Sequence, residues 1–284
     1  MPARPRGLAL AEHDRHTNLS KWLLEQLLND LAPQIAAIPS RVKCVAHLFF
    51  SNRLHRNQNL KCWEDAASYV LLRLFPIVYQ ESDAEGVVSL DQWLDDAISH
   101  KGDEARLIIA IQLHSVKAPP WFPDGGPEAA SALLLMPDAL AEKHGLKKQA
   151  DLHRPVTSAI ETHADSVKLA MRVAGTTGKR LAKIWQTGIP LGQSGSLSVM
   201  RQETEMLTPV IDIDRTVGEA GIAAPWFAVA CAHASLRQHG GAQMVTAGNG
   251  NKVSTLVLKP TRKRGGSVQT VDDRTFRYSV DRTI

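Results

Sequence analysis

An α/β fold of stacked sheets and helices is the class this sequence predicts, and three observations carry it. Short apolar runs at Val42 to Phe50, Leu107 to Leu113 and Ala129 to Met136 have the length and patterning of buried strands. They alternate with longer stretches of helical period, which is the signature of layered α/β architecture. The third is the stretch from Pro209 to Pro260. It reads as strand, glycine turn, buried helix, strand, strand, and it is the most informative in the chain.

From the N-terminus, residues 1 to 17 read as a loose, basic arm whose apolar piece, Leu8 to Ala11, is too short for a signal peptide. Thr17 or Asn18 is placed to cap a helix that runs to about Ala37. Trp22, Leu23, Leu27, Leu28, Leu31 and Ile35 form its apolar face, and Pro39 ends it. The strand from Val42 leads to a polar, basic loop, Asn52 to Asn59, then a helix over Leu60 to Phe75. A further helix is expected over Leu90 to His100, ahead of the strand at Leu107. Val116 to Pro127 is a Pro- and Gly-rich loop with Trp121 and Phe122 at its tip. Pro137 to Ala150 is polar and bridges to a second half that opens at Leu152 to Ile160. Ser166 to Trp185 reads as a basic amphipathic helix interrupted near Gly175 and Gly178.

In the C-terminal stretch, Pro209 to Asp214 alternates as a strand does. Gly218, Gly221 and Pro225 mark a turn into Ile222 to Leu236, an Ala-rich helix with no charge before Arg237. A helix this apolar must be covered on nearly all sides. Gly240 and Gly241 stop it, and two buried strands follow at Met244 to Ala247 and Thr255 to Leu258. Residues 261 to 284 change composition to a basic, glycine-containing tail, in which Arg274 to Val280 is either a short pairing strand or unstructured. The division is then an arm (1–17), an N-terminal half (18–150), a C-terminal half (151–260) and the tail.

The glycine turn and its buried helix resemble the C-terminal end of ketoacyl synthases and other thiolase-like proteins. Thr187-Gly188-Ile189-Pro190-Leu191-Gly192-Gln193 is similar to a second signature of that family, and Glu128 to Leu135 resembles its alanine-rich strand. The resemblance implies a thiolase-like layered fold of two α/β halves. It also implies where catalytic groups would stand. The family's histidine after the first glycine of the turn is Glu219 here, and its His-Gly pair is Trp185-Gln186. A carboxylate cannot serve as the imidazole donor to a developing oxyanion. The nucleophilic cysteine would open the helix at Leu90, but the loop Glu81 to Ser89 holds none, only Ser82 and Ser89.

Leu152-His153-Arg154-Pro155-Val156, with the charged helix and glycine turn after it, resembles bacterial type VI secretion lipase adaptors over roughly residues 105 to 260. That resemblance implies a non-catalytic adaptor or chaperone. Its partners would be a secreted effector, such as a lipase, and a secretion spike component. Contacts are expected at the 51–59 loop, through Arg53 and Arg56, and at Trp121 and Phe122, which otherwise plug the domain's own core. The alternative is an active acyl-transferring enzyme with Cys62 or a serine as nucleophile and His114 or His153 as base. Family members dimerise, so a homodimer is open.

Composition narrows the remaining classes. Three widely spaced cysteines argue for a reducing, cytoplasmic compartment and against a disulfide framework, and no CxxC signals zinc. A net charge of +4 permits nucleic-acid binding without pointing to it, and the tract Lys259, Arg262, Lys263, Arg264 reads first as a solvated tail. No apolar run is long enough to span a membrane. Gly175 to Arg180 lacks the first glycine and the hydroxyl of a phosphate loop, and His13 and His16 have no third ligand nearby. No cofactor and no metal are expected.

Overall fold

Strand pairing builds two half-sheets on one plan. The computed structural model describes residues 6–71, 76–80, 86–98, 104–114, 127–190, 200–261 and 277–281. In the first half, β1 (Lys43–Ser51) runs parallel to both its neighbours, β2 (Ile77–Gln80) and β3 (Glu104–Gln112). β3 then pairs antiparallel with β4 (Ala129–Pro137). In the second half, β7 (Leu181–Thr187) runs parallel to β8 (Val210–Asp212) and β9 (Ala242–Asn249), and β9 pairs antiparallel with β10 (Lys252–Pro260). Each half carries one helix from its edge strand back to the inner strand: α3 (Ser89–Ile98) in the first, α7 (Ala224–His239) in the second. β5 (Ala150–His153) and β6 (Val156–Ala159) both pair with β10. β11 (Arg277–Asp281) lies between β4 and β5, antiparallel to each, and joins the halves into one hydrogen-bonded path.

Alternation along the strands sorts side chains into three cores. Cys44, Ala46, Leu48 and Phe50 of β1, with Leu107, Ile109 and Ile111 of β3, face α1 (Arg6–Ala37) and α2 (Arg56–Val70). Phe49, Ile108 and Ala110 point the other way, into a central core shared with α3, α7 and the inner face of β9 and β10. Ile184, Met244 and Val257 face α5 (His163–Val173) on the far side. The order is therefore helix, sheet, helix, sheet, helix. Trp226 of α7 is fully buried, stacks 6.2 Å from Trp93 of α3, and lies 5.4 Å from Phe49.

The central layer is not uniformly apolar. Arg106 of β3 is buried against the Trp93 ring, 4.9 Å from its centroid, with Nη1 3.2 Å from His47 Nε2 and Nη2 3.0 Å from Glu104. Burial first, and the Arg106 charge second, push the His47 pKa down to about 3. His163, at the start of α5 and 2.9 Å from the Thr255 hydroxyl, is lowered to about 4 by burial.

Several expectations need correction. From residue 6, the expected arm is the beginning of α1, and Thr17 and Asn18 are mid-helix rather than caps. The buried stripe of α1 is Glu12, His16, Ser20, Leu24, Leu28, Leu31 and Ile35. Its first three members are polar, so the apolar pattern starts too late to mark the helix. They are satisfied by one another and by the strand ends. His16 Nδ1 accepts from the Arg53 backbone N at 3.0 Å, and His16 Nε2 lies 3.1 Å from Glu12 Oε1. Arg15 forks onto Glu128 at 2.8 and 3.2 Å. Trp22 is off the buried face, 54 % exposed.

The helix expected over Ser166 to Trp185 is instead α5 followed by β7, because Gly175 turns at φ +58° and Gly178 packs where a Cβ would lie 2.1 Å from the Thr204 carbonyl oxygen. The second helix starts at Arg56 and not Leu60, which places Cys62 inside α2 rather than at its N-terminus. Residues 277–281 of the expected tail form β11, so the pairing strand is the outcome there. No helix among the described residues is long and apolar enough to cross a membrane.

Candidate functional site

The two central helices begin side by side, and the site is what surrounds their N-terminal ends. A 3-10 turn, Gly86–Val88, leads into α3, and another, Gly221–Ala223, leads into α7. Gly86 has φ +55°, and a Cβ there would lie 3.5 Å from the Pro225 ring, so the two starts are in contact. Gly221 has φ +50° and sits against the Gln112 side chain at the end of β3. That side chain accepts a hydrogen bond from the Ile222 backbone N at 3.2 Å, fixing the turn to the first half-sheet.

The strand ends of the second half complete the surround. The Asp212 carboxylate accepts the Arg215 N–H at 3.1 Å and so caps α6 (Ile213–Val217). Asp214 accepts the Thr187 hydroxyl at 2.7 Å and the Gly188 N–H at 2.5 Å, tying α6 to the end of β7. Gly188, at φ +68°, faces Gly248 across a backbone approach that leaves no room for a side chain: a Cβ on Gly188 would lie 2.3 Å from the Gly248 oxygen. Two pockets open here. One of about 430 Å³ is lined by Thr187, Pro190, Asp212, Asp214, Arg215 and Glu219, among others. A second, of about 180 Å³, lies between the helix starts, with Gly86, Val88, Gly221, Pro225 and Ser254 in its wall.

The positions singled out from the sequence divide between these pockets and other places. Glu219 lines the larger pocket and is exposed. Trp185 lines neither pocket. It sits half-buried on β7 with its indole N–H donating to Gln243 Oε1 at 3.1 Å and packs against the central core. Its neighbour Gln186 donates to Asp212 Oδ2 at 3.3 Å, reaching the pocket wall. At the start of α3 stand Gly86, Val87, Val88 and Ser89; Ser82 lies outside the described residues. No cysteine or histidine occurs among the described lining residues of either pocket, nor in the sequence of the neighbouring segments 81–85 and 191–199. Besides backbone, the walls offer the carboxylates of Asp212, Asp214 and Glu219, the hydroxyls of Thr187 and Ser254, and the Arg215 guanidinium.

Arg53 and Arg56 are exposed, and Arg56 stacks 5.5 Å from the Tyr79 ring centroid. Trp121 and Phe122 lie outside the described residues. Cys62 is buried, its thiol pushed above the ordinary range chiefly by that burial, with Sγ 3.9 Å from the Thr17 carbonyl oxygen. His13 and His16 both contact protein groups: His13 Nε2 is 2.6 Å from Gln58 Nε2. Sequence reasoning missed the Arg15–Glu128 pair, which anchors α1 to the residues flanking the 116–127 loop. The Arg15 pKa is raised, first by its hydrogen bond to Glu128. Burial pushes Glu128 upward, but the Arg15 hydrogen bond and charge outweigh it and the net shift is down.

Neither a known protein family nor a curated protein matches the chain by sequence. Solved structures do match by shape. An oxazolomycin ketosynthase domain of Streptomyces albus aligns at TM-score 0.57 and 15% identity, over 81% of this chain and 76% of that one. The ketosynthase from module 6 of the Bacillus subtilis bacillaene synthase aligns at TM-score 0.64 and 13% identity, over 86% of this chain; this chain spans only 58% of that one. The peroxisomal 3-ketoacyl-CoA thiolase of Saccharomyces cerevisiae aligns at TM-score 0.56 and 11% identity, over 85% of this chain and 91% of that one. That thiolase is described as five layers, α-β-α-β-α, from two core domains of identical topology. The same five layers were found above. The chain has the thiolase-like fold.

Proposed function

We propose that the chain is a non-catalytic adaptor that uses a thiolase-like scaffold to hold a protein partner. A single observation carries this reading. The two pockets at the starts of the central helices, where the resemblance would put a thiol and one imidazole, have no cysteine or histidine among their described lining residues, and their Asp212 and Asp214 carboxylates are taken up by the Arg215 and Gly188 N–H groups and the Thr187 hydroxyl. Acyl transfer needs an activated nucleophile with a base in reach, and fold by itself does not fix function. Cys62, the nucleophile an active enzyme would call on, is buried with its thiol pushed up, which is opposite to activation. The sequence resemblance to type VI secretion lipase adaptors names the partner class: a secreted effector on one side and a spike component on the other.

The test is a tagged pull-down from the native cell with mass spectrometry of what stays bound, beside a thioester condensation assay on the purified chain. Near-equal recovery of an effector or spike protein, with no condensation, is the expected result. Condensation activity that falls with Cys62→Ala would overturn the reading in favour of an acyl-transferring enzyme.

A further inference from the structure

On the outer face, far along the chain from the glycine turn, the C-terminal end of α1 and the segment after α4 (Asp138–Lys143) flank a small depression over β4. Its volume is about 230 Å³. Ile38, Leu134, Met136 and Leu146 make the walls, and Lys147 stands at its edge. Small-molecule sites commonly run about 300–1,000 Å³, so this one suits a single anchoring side chain better than a whole ligand.

The surroundings carry a positive excess, with Arg41, Lys143 and Lys147 against the exposed Glu142. Arg41, Lys143 and Lys147 are exposed, and among the described residues none has a carboxylate at ion-pair distance. Lys148, one residue further, shows the contrast: it is 2.6 Å from Asp138 and 3.6 Å from Asp151. Arg41 Nη2 lies 3.2 Å from His144 Nδ1, and His144 titrates below its ordinary range, through lost hydration first and then the Arg41 and Lys143 charges. Lys143 closes the last turn of α4, where a cation complements the helix dipole, whereas Arg41 lies past the end of α1. Lys147, like Arg41, lies beyond the last turn of a helix.

We infer that this patch docks an acidic segment of the partner protein, with one aliphatic side chain entering the depression and flanking carboxylates meeting Lys147, Lys143 and Arg41. An apolar anchor in a pocket with charge complementarity around it is the arrangement that gives an interface both affinity and register. The inference deepens the adaptor reading and rests on it for the existence of a partner.

The probe is the peptide acetyl-Glu-Asp-Leu-Glu-Asp-amide, titrated into the purified full chain while methyl NMR signals of Ile38, Leu134, Met136 and Leu146 are followed. Saturable shifts are expected. Replacing the peptide's leucine with serine should abolish them. Lys147→Glu should weaken binding about five-fold, the size of one exposed charge pair, and Ala37→Trp, also at an exposed position, should block the depression. Both variants keep the wild-type melting temperature. Unmoved methyl signals, or unchanged affinity in Lys147→Glu, overturn the inference. Shifts with octanoate but none with the peptide overturn it in favour of a small amphiphile. A partner captured equally by wild type and Lys147→Glu also overturns it while leaving the adaptor reading intact. Peptide binding without any captured partner does the reverse.

Discussion

The two halves share a strand plan but not an interior. In the first, the face turned to the central layer carries a buried arginine, imidazole and carboxylate, with Arg106 lying over Trp93. In the second, the matching face offers Val245, Leu256 and Leu258 to an alanine-rich helix, and the fully buried Gln243 of that face is uncharged. Parallel pairing, a return helix and an antiparallel closing strand recur in both. The lesson is that alternation of apolar residues sets the layers, while the chemistry inside each layer is free to diverge. A scaffold of this kind can lose or gain polar groups in one half without altering the plan of the other.

The sharpest way to break that contrast is to cut the two tryptophans that meet in the middle. Trp226→Ala removes a fully buried ring from the apolar side and should cost about 3–5 kcal/mol in a urea titration. Trp93→Ala, whose ring faces Arg106 and His47, should cost less, because the polar groups it uncovers gain access to water. Equal losses would mean the polar cluster makes no difference to the packing.

Acid should act on both halves through one histidine each. His47 and His163 are neutral in the fold, at about 3 and about 4, whereas in the unfolded chain they take up protons near 6.5. Their contribution is therefore complete above pH 6.5 and is lost as pH falls toward the folded values. The slope for each is about 1.4 kcal/mol per pH unit. A single unfolding transition approaching two protons in slope means the halves unfold together, and His163→Gln should remove one proton's worth. A transition that splits, or a slope insensitive to that variant, would separate them.

The smallest effect belongs to the glycine turn. Glu219 is exposed, so Glu219→Ala should change stability by within about 0.5 kcal/mol. Glu219→His should yield no condensation of thioesters, because no thiol stands at residues 86–89 to use the imidazole. Any gain of activity would locate a nucleophile that the adaptor reading lacks.

Much of this was legible in the sequence. β3 and β4 hold unbroken apolar runs at Leu107–Ile111 and Ala132–Met136, β9 and β10 shorter ones at Met244–Val245 and Leu256–Leu258, and α7 is apolar from Ala224 to Ala232, so strong patterns led directly to the central layers. Glu219, singled out through the resemblance to ketoacyl synthases, lines the larger pocket. The failures have physical causes. The first turns of α1 bury Glu12, His16 and Ser20, and a buried polar stripe looks like a solvated one until its partners, Arg53 and Asn52 among them, are known. β7 carries Lys183 and a half-buried Trp185 within a basic run, so a helical period suited it as well as a strand did. The depression under α1 depends on residues from three distant segments and has no sequence signature at all.

β11 has one more consequence, for the order in which the protein is made. The strand that occupies the seam between β4 and β5 comes from residues 277–281, more than a hundred positions after both. During synthesis each half can form its own ladder, yet β4 and β5 face a gap with unmet backbone groups until that segment leaves the ribosome. An open strand edge is a template for the wrong chain as readily as for the right one. The nascent chain therefore carries an open centre line from the emergence of β5 until residues 277–281 follow it.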